Sequence, residues 1–113
     1  MAYRAFMAVL VTAMVAGENQ PCLADDPATY VIVLKNHAFA PSEIHVPTGK
    51  PFFVLVKNAN GAADEFEMLI PAVERGMQPG DEVRIRMRPL GPGRFPFFGE
   101  GDPDNEKGAF VSE

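Results

Sequence analysis

The apolar and polar residues of this chain follow a strand pattern from residue 30 onward. Residues 30–35 form a run rich in β-branched side chains, which is typical of a buried strand. Residues 82–88 alternate between charged and apolar side chains, which predicts a strand with one face in the core. Six further segments show one of these two patterns: residues 43–46, 52–57, 65–69, 73–75, 94–98 and 108–111. Turn-forming residues separate the segments, so the sequence predicts an all-β fold, an antiparallel β-sandwich of seven or eight strands.

Residues 1–24 have the order of a secretory signal peptide. Arg4 supplies a positive charge, residues 5–17 are almost entirely apolar, and Ala24 offers a small side chain for cleavage. The apolar run is shorter than the ~20 residues that a helix needs to span a membrane, which favours secretion over a membrane anchor. We predict a signal peptide over residues 1–24, one domain over residues 25–113 and a periplasmic location.

Composition narrows the classes of function. The chain has ten Lys and Arg against fifteen Asp and Glu, a net charge of −5. This charge does not suit nucleic acid or an anionic membrane surface, which both need a basic face, but it suits a cation or a basic partner. The single cysteine, Cys22, lies in the predicted signal peptide, so the domain is expected to lack a disulfide and a thiolate ligand. No nucleophile–base arrangement is visible, and hydrolytic catalysis is not expected.

Two acidic groups predict a metal site. Four carboxylates occupy every second position of one predicted loop: Glu100, Asp102, Asp104 and Glu106. Glu65 and Glu67 face the same side of a predicted strand, so their carboxylates can converge on one ion. Carboxylate oxygens bind hard cations such as ferric iron, and also manganese and calcium. The alternative is that both groups are solvated surface features.

Other side chains have a chemical and a structural interpretation. His37 follows the first predicted strand, where loops gather at one end of a sandwich, and its imidazole suits copper or iron. His45 alternates with apolar neighbours and is interpreted as a surface residue. Met77, beside a turn, is expected to be exposed and is a candidate ligand for cuprous copper. Several phenylalanines are interpreted as core, or as a docking patch if they are exposed: Phe95, Phe97, Phe98 and Phe110.

The order of the motifs resembles that of the cupredoxins, the copper-protein β-sandwich. The resemblance is carried by Phe-Ala-Pro at 39–41, Ile-His-Val-Pro-Thr-Gly-Lys-Pro-Phe at 44–52, Val-Lys-Asn at 56–58, Leu-Gly-Pro-Gly-Arg-Phe-Pro-Phe-Phe at 90–98 and Lys-Gly-Ala-Phe-Val at 107–111. It implies a Greek-key sandwich. The His, Cys, His and Met of blue-copper members correspond approximately to Asp64, Gly99, Asp102 and Glu106. A blue-copper site depends on the thiolate–copper bond, so a simple electron carrier is not implied.

One subgroup of the cupredoxins resembles this chain more closely than the blue-copper members do. Asp-Glu-Phe-Glu at 64–67 and Asp-Pro-Asp at 102–104 resemble the cupredoxin domains of periplasmic iron-uptake systems, the EfeO-like and FtrB-like proteins. The resemblance implies a carboxylate-rich site for copper or iron, and a role in oxidising ferrous iron or handing it to a membrane permease. EfeO-like domains have a cysteine where Gly99 stands, and FtrB-like domains often have a histidine where Asp102 stands.

The sequence therefore predicts a periplasmic metal-binding protein that is accessory to ferrous-iron uptake, with at most a ferroxidase-type activity. The cofactor is a copper or iron ion, and the partner is a membrane permease or another uptake component. The predicted metal ligands are His37, Glu65, Glu67, Glu100 and Asp102. The alternative is a periplasmic copper chaperone or metal buffer without a redox role that uses His37 and Met77. A third alternative is a structural sandwich that docks on a membrane complex through its phenylalanines.

Overall fold

The computed structural model of the protein describes residues 26–113, so the predicted signal peptide lies outside the described residues. The described residues form nine strands: β1 (Thr29–Lys35), β2 (Ala38–Ala40), β3 (Glu43–Val46), β4 (Phe52–Asn58), β5 (Asp64–Met68), β6 (Val73–Met77), β7 (Glu82–Met87), β8 (Gly93–Gly99) and β9 (Lys107–Ser112). Among these residues no helix is long and apolar enough to cross a membrane.

The strands form two sheets, with the orders β2-β1-β4-β7 and β3-β9-β8-β5-β6. The predicted sandwich is confirmed, with one more strand than expected and with two parallel pairs, β1 with β4 and β3 with β9. β3 belongs to the other sheet, so the chain leaves the first sheet after β2 and re-enters it as β4, running parallel to β1. Direct hairpins would have given antiparallel neighbours instead.

β2 is the additional strand, and it lies in the segment that the sequence predicted as a connection. Asn36 and His37 both have positive φ, 53° and 55°, which is the conformation of a two-residue hairpin turn. This turn lets residues 38–40 pair back onto β1, with Lys35 opposite Ala38.

The core lies between the sheets and is rich in phenylalanine. The Phe97 ring is fully buried and contacts the rings of Phe39, Phe66 and Phe110, with centroids 5.3, 5.2 and 5.1 Å away. Edge-to-face and tilted ring pairs of this kind add to the free energy of apolar burial. Alternation along the strands is as predicted, because Phe66 and Met68 are buried while Glu65 and Glu67 point outward.

Candidate metal centre

His37 is held at one end of the sandwich by the tight turn between β1 and β2. Its backbone N–H donates to Asn60 Oδ1 at 2.9 Å, which ties the turn to the loop after β4. Its imidazole is 60% exposed, and Nδ1 lies 2.9 Å from Oε2 of Glu106. The turn therefore places an imidazole between solvent and a buried carboxyl group.

Asp64 is the first residue of β5 and is buried. Its Oδ1 accepts hydrogen bonds from the backbone N–H groups of Glu65 and Gly101, at 2.7 and 2.8 Å. A side chain at Gly101 would place its Cβ 2.9 Å from Asp64 Oδ2, so the glycine permits this close approach. Asp64 is thus anchored through one oxygen, and the other lies against the backbone of the acidic loop.

Glu106 precedes β9 and has no exposed surface. The loop that carries it is closed at its base, where the Gly99 N–H donates to the Glu106 carbonyl at 2.8 Å. The side chain covers Gly99, where a Cβ would lie 2.9 Å from Glu106 Cβ and closer still to Oε1. Oε2 faces His37, but Oε1 has no hydrogen-bond donor among the described residues. Buried polar atoms are normally bonded, so this oxygen requires an explanation.

The carboxyl groups of Asp64 and Glu106 form a coupled pair. Burial, and secondly the neighbouring Asp64, raise the pKa of Glu106 to about 7, although His37 opposes the shift. Burial also acts to raise the pKa of Asp64, but the hydrogen bond from Glu106 and the two backbone hydrogen bonds outweigh it and hold that pKa below its usual value. One proton held by Glu106 supplies the donor that the pair needs. When that proton leaves, Oε1 is a buried acceptor with no donor beside a second negative charge.

The stability of the metal-free protein is therefore expected to fall as the pH rises from about 4.5 to about 7. In this window the folded protein keeps a proton on Glu106 that the unfolded chain has released, so rising pH favours unfolding. The lowered pKa of Asp64 affects stability in the opposite direction, because it stabilises the folded protein at higher pH. This stabilisation is lost only as the pH falls through and below the usual pKa of 3.8. Urea denaturation with a chelator present, at pH 5 and pH 7.5, measures the change.

Glu106→Gln isolates this effect, because the amide is nearly isosteric and does not titrate. The variant should lose less stability than the wild-type protein between the two pH values. Glu67→Gln removes a second group whose pKa is raised to about 7, but on the outer surface, where water screens the charges. It should therefore reduce the pH dependence less than Glu106→Gln does. Equal pH dependence in Glu106→Gln and the wild type would contradict the shared proton.

The outer face of the five-stranded sheet carries a second group of carboxylates. Glu67 lies opposite Glu74 in the β5–β6 pairing, and carboxylate oxygens of Glu65, Glu67 and Glu74 lie within 4.8 Å of one another. A side-chain hydrogen bond with Glu100 is the largest cause of the raised pKa of Glu67, followed by burial and by repulsion from the neighbouring acids. A groove of about 300 Å³ is lined by residues of both groups, Asp64 of the buried pair and Glu65 of the outer group, and by Glu100.

The remaining candidate ligands form local hydrogen bonds or lie in the core. Asp102 Oδ2 accepts a hydrogen bond from Asn105 Nδ2 at 3.0 Å, which stabilises the turn of the acidic loop. His45 lies on the surface, as expected, and bonds to Glu43 and Glu113. Met77 is only 1% exposed, so the prediction of an exposed methionine was wrong. It is the last residue of β6 and points into the core, and the exposed turn begins only after it.

The five ligands predicted from the sequence thus lie in three places. His37 faces the buried pair, three carboxylates are near the outer face, and Asp102 belongs to the loop. The structure adds Asp64 and Glu106, which the sequence interpretation ranked lower. The signal for both was present, because the cupredoxin resemblance had placed them at positions of blue-copper ligands.

Comparison with known proteins agrees with this architecture. The profile of the family described as "Cupredoxin-like domain" matches residues 5–111. The chain belongs to the cupredoxin-like domain family. An uncharacterized protein of Rickettsia prowazekii (strain Madrid E), RP394, is 28% identical over 107 residues, covering 94% of this chain and 84% of that protein.

Two solved structures show the same fold as this cupredoxin-like domain. Auracyanin A, a "blue" copper protein of Chloroflexus aurantiacus, has a TM-score of 0.67 and 14% identity, covering 78% of this chain and 100% of its own. The metal-binding domain of the Cu(I)-exporting P-type ATPase CopA of Streptococcus pneumoniae D39 has a TM-score of 0.68 and 18% identity, covering 75% and 84%. At these identities the similarity concerns the fold, which is that of copper-binding proteins.

Proposed function

We propose that this cupredoxin-like domain is a periplasmic metal-binding protein that assists ferrous-iron uptake, and that it holds iron between His37, Asp64 and Glu106. The observation that carries the proposal is the buried Glu106 Oε1, which has no donor within residues 26–113 and lies in a site with a second carboxyl group and an imidazole. A cation bound there supplies the positive partner that a buried carboxylate pair needs above neutral pH.

The donor set favours a hard cation. Carboxylate oxygens select iron, manganese and similar ions, and a single imidazole is compatible with iron. A blue-copper centre does not fit, because residues 26–113 contain no cysteine. At the position that corresponds to the cysteine, Gly99, the space for a side chain is filled by Glu106.

The assignment to iron uptake is supported by the sequence resemblance to iron-uptake cupredoxins and by the position of the site. His37 is the exposed member of the three, so it offers a route by which a metal ion can enter or leave the buried carboxylates. Transfer to a membrane permease requires such an accessible ligand. Two carboxylates also stabilise ferric over ferrous iron, which would assist oxidation if an electron acceptor is present.

The copper-chaperone alternative has less support. It depended on Met77 as a soft ligand, and that side chain is buried in the core. The outer carboxylates Glu65, Glu67 and Glu100 remain a second candidate site, as the sequence predicted, and they are separable from the first by mutation.

Calorimetric titration of the purified protein with Fe(II) under anaerobic conditions, and with Mn(II) and Cu(II), tests the proposal. We expect iron to bind, and we expect Asp64→Asn to weaken binding at least tenfold, about 1.4 kcal/mol. Asp104→Asn is the matched control, because it makes the same change at an exposed acid of the loop that carries Glu106, and it should leave affinity unchanged.

The double variant Glu65→Gln/Glu67→Gln separates the two candidate sites. Unchanged affinity in this variant agrees with the buried site. A loss here together with normal binding in Asp64→Asn would move the metal to the outer face. If none of the three metals binds the wild-type protein, the metal-binding function is wrong.

A further inference from the structure

The outer face of the four-stranded sheet concentrates the cations of an otherwise acidic protein. We call it the basic face; it consists of Val31, Val33, Lys35, Phe53, Leu55, Lys57, Arg84 and Arg86 with Glu82 at one end. Cross-strand pairing places Leu55 between Val31 and Arg84, and Phe53 beside Arg86. The face is therefore an apolar strip along β1 and β4, bordered by arginines on β7.

The arginines of this face are held against its apolar strip. The Arg84 guanidinium lies 4.1 Å from the centroid of the Phe53 ring, and that of Arg86 lies 5.7 Å away. Val31 in the strip is 44% exposed, a high value for a large apolar side chain on a sheet. Glu82 is the one acid among the described strand residues of this face, and it lies 3.8 Å from Lys57. An aromatic and aliphatic centre with an arginine border is the composition of protein interfaces.

The opposite sheet carries a surface of complementary character. We call it the acidic face; it consists of Glu65, Glu67, Leu69, Glu74 and Phe98. Phe98 lies directly across from Glu67 on one side and from Lys107 on the other, and Leu69, 76% exposed, lies in the turn that follows β5. The acidic face therefore combines apolar side chains with clustered negative charges. The cations of the same sheet, Lys107 and Arg94, lie toward β9, and Arg94 is paired with Glu43.

We propose that the basic face of one copy docks on the acidic face of a second copy. Like charges crowded on each face repel one another, and contact between the two faces replaces that repulsion with attraction while covering the exposed apolar side chains. The largest apolar side chain of the basic face, Phe53, lies beneath arginine side chains. This favours a flat protein partner over insertion into a lipid bilayer, which needs protruding apolar groups.

The two faces lie on opposite sheets, so this association is head-to-tail. A head-to-tail contact leaves one face of each kind free at the ends, and it adds further copies as the concentration rises. The buried site of His37, Asp64 and Glu106, at the end of the sandwich, stays outside the contact, and the chelator used below keeps the outer carboxylates free of metal. The inference therefore does not depend on the proposed metal function.

Sedimentation velocity of the purified protein with a chelator present tests the association. We expect the average mass to rise with protein concentration at about 20 mM salt, and to return to the monomer value at about 0.5 M salt, where charges are screened over a few ångströms. Lys50→Gln removes an exposed cation outside the basic face and should leave the behaviour unchanged.

Two neutral variants make the test decisive. Arg84→Gln/Arg86→Gln weakens the basic face, and Glu65→Gln/Glu67→Gln weakens the acidic face, so each variant alone should stay monomeric. Each variant keeps one competent face, so a mixture of the two should give a one-to-one dimer that grows no further. Both are surface substitutions, and unchanged thermal unfolding confirms that they fold.

Three outcomes would overturn the proposal. The first is a wild-type protein that stays monomeric at low salt at every concentration. The second is association that persists in either neutral variant. The third is a mixture of the two variants that forms no dimer. Only the mixture contains both an intact basic face and an intact acidic face, so it must associate if the two faces bind each other.

Discussion

Phe97→Ala is expected to lower the free energy of unfolding by about 3–5 kcal/mol. The side chain is fully buried, and its ring contacts Phe66 and Phe110 of its own sheet and Phe39 of the other sheet. Removing it deletes a large apolar area and leaves a cavity that the surrounding rings can fill only partly. Chemical denaturation followed by fluorescence or circular dichroism measures the loss as a shift in midpoint at constant m-value.

Phe98→Ala is the matched control for Phe97→Ala. Phe98 is the next residue of β8 and is the same residue type, but it is half-buried on the outer face of the sheet. Its loss removes less buried area and creates no internal cavity, so the cost should be less than half as large. An equal loss of stability in the two variants would contradict the packing of β8, in which Phe97 faces the core and Phe98 faces outward.

Alternation of apolar and polar residues predicted most of the strands correctly, because each sheet has one face in the core and one in water. β7 shows this directly, since Ile85 and Met87 are buried while Arg84 and Arg86, which alternate with them, are exposed. β2 was missed because three residues, Ala-Phe-Ala, carry too little pattern. Its formation depends on two successive left-handed residues in the Asn36–His37 turn, which apolar periodicity does not reveal.

The residues of the proposed metal site were identified from the sequence only in part, for a physical reason that the acidic residues show. Charged residues at alternate positions of a loop look equivalent in sequence, but Glu106 is buried and Glu100 is exposed. Their depth depends on where the loop closes, which is a tertiary contact between Gly99 and Glu106. The burial of Asp64 was easier to predict. It lies two residues before Phe66 in β5, so both side chains point to the inner face of the sheet.

Net charge was the least informative quantity. A value of −5 excluded a basic surface at the level of the whole chain. The sheet pairing nevertheless brings Lys57, Arg84 and Arg86 onto one face, while Glu65 and Glu67 lie on the other sheet. The order of the strands in the sheets determines which charged residues share a face. The net charge of the chain therefore cannot reveal this separation of positive and negative residues.

Gly99→Ala is expected to weaken iron binding at least tenfold and to lower stability by about 1–3 kcal/mol. The added methyl group would lie 2.9 Å from Glu106 Cβ and closer still to Oε1, so Glu106 must move. The substitution removes no ligand atom, and any loss of affinity therefore reports the position of the buried carboxyl group. Calorimetry and chemical denaturation on the same samples give both quantities.

Gly76→Ala is the matched control, because Gly76 is also a strand residue and a Cβ there meets nothing within 4 Å. It should leave iron affinity unchanged and stability equal or slightly higher, since alanine reduces the freedom of the unfolded chain. Iron affinity in Gly99→Ala equal to that of the wild type would show that Glu106 is not a ligand.

A double-mutant cycle identifies the cause of the Gly99→Ala effect. In a Glu106→Gly background the atoms that collide with the new methyl group, Cβ and Oε1, are both absent, so the same substitution at Gly99 should cost little stability. The difference between the two backgrounds is the free energy of the clash itself. A cost that is the same in both would assign the effect to the β8 backbone. The space beside Gly99 would then not be reserved for the Glu106 carboxyl group.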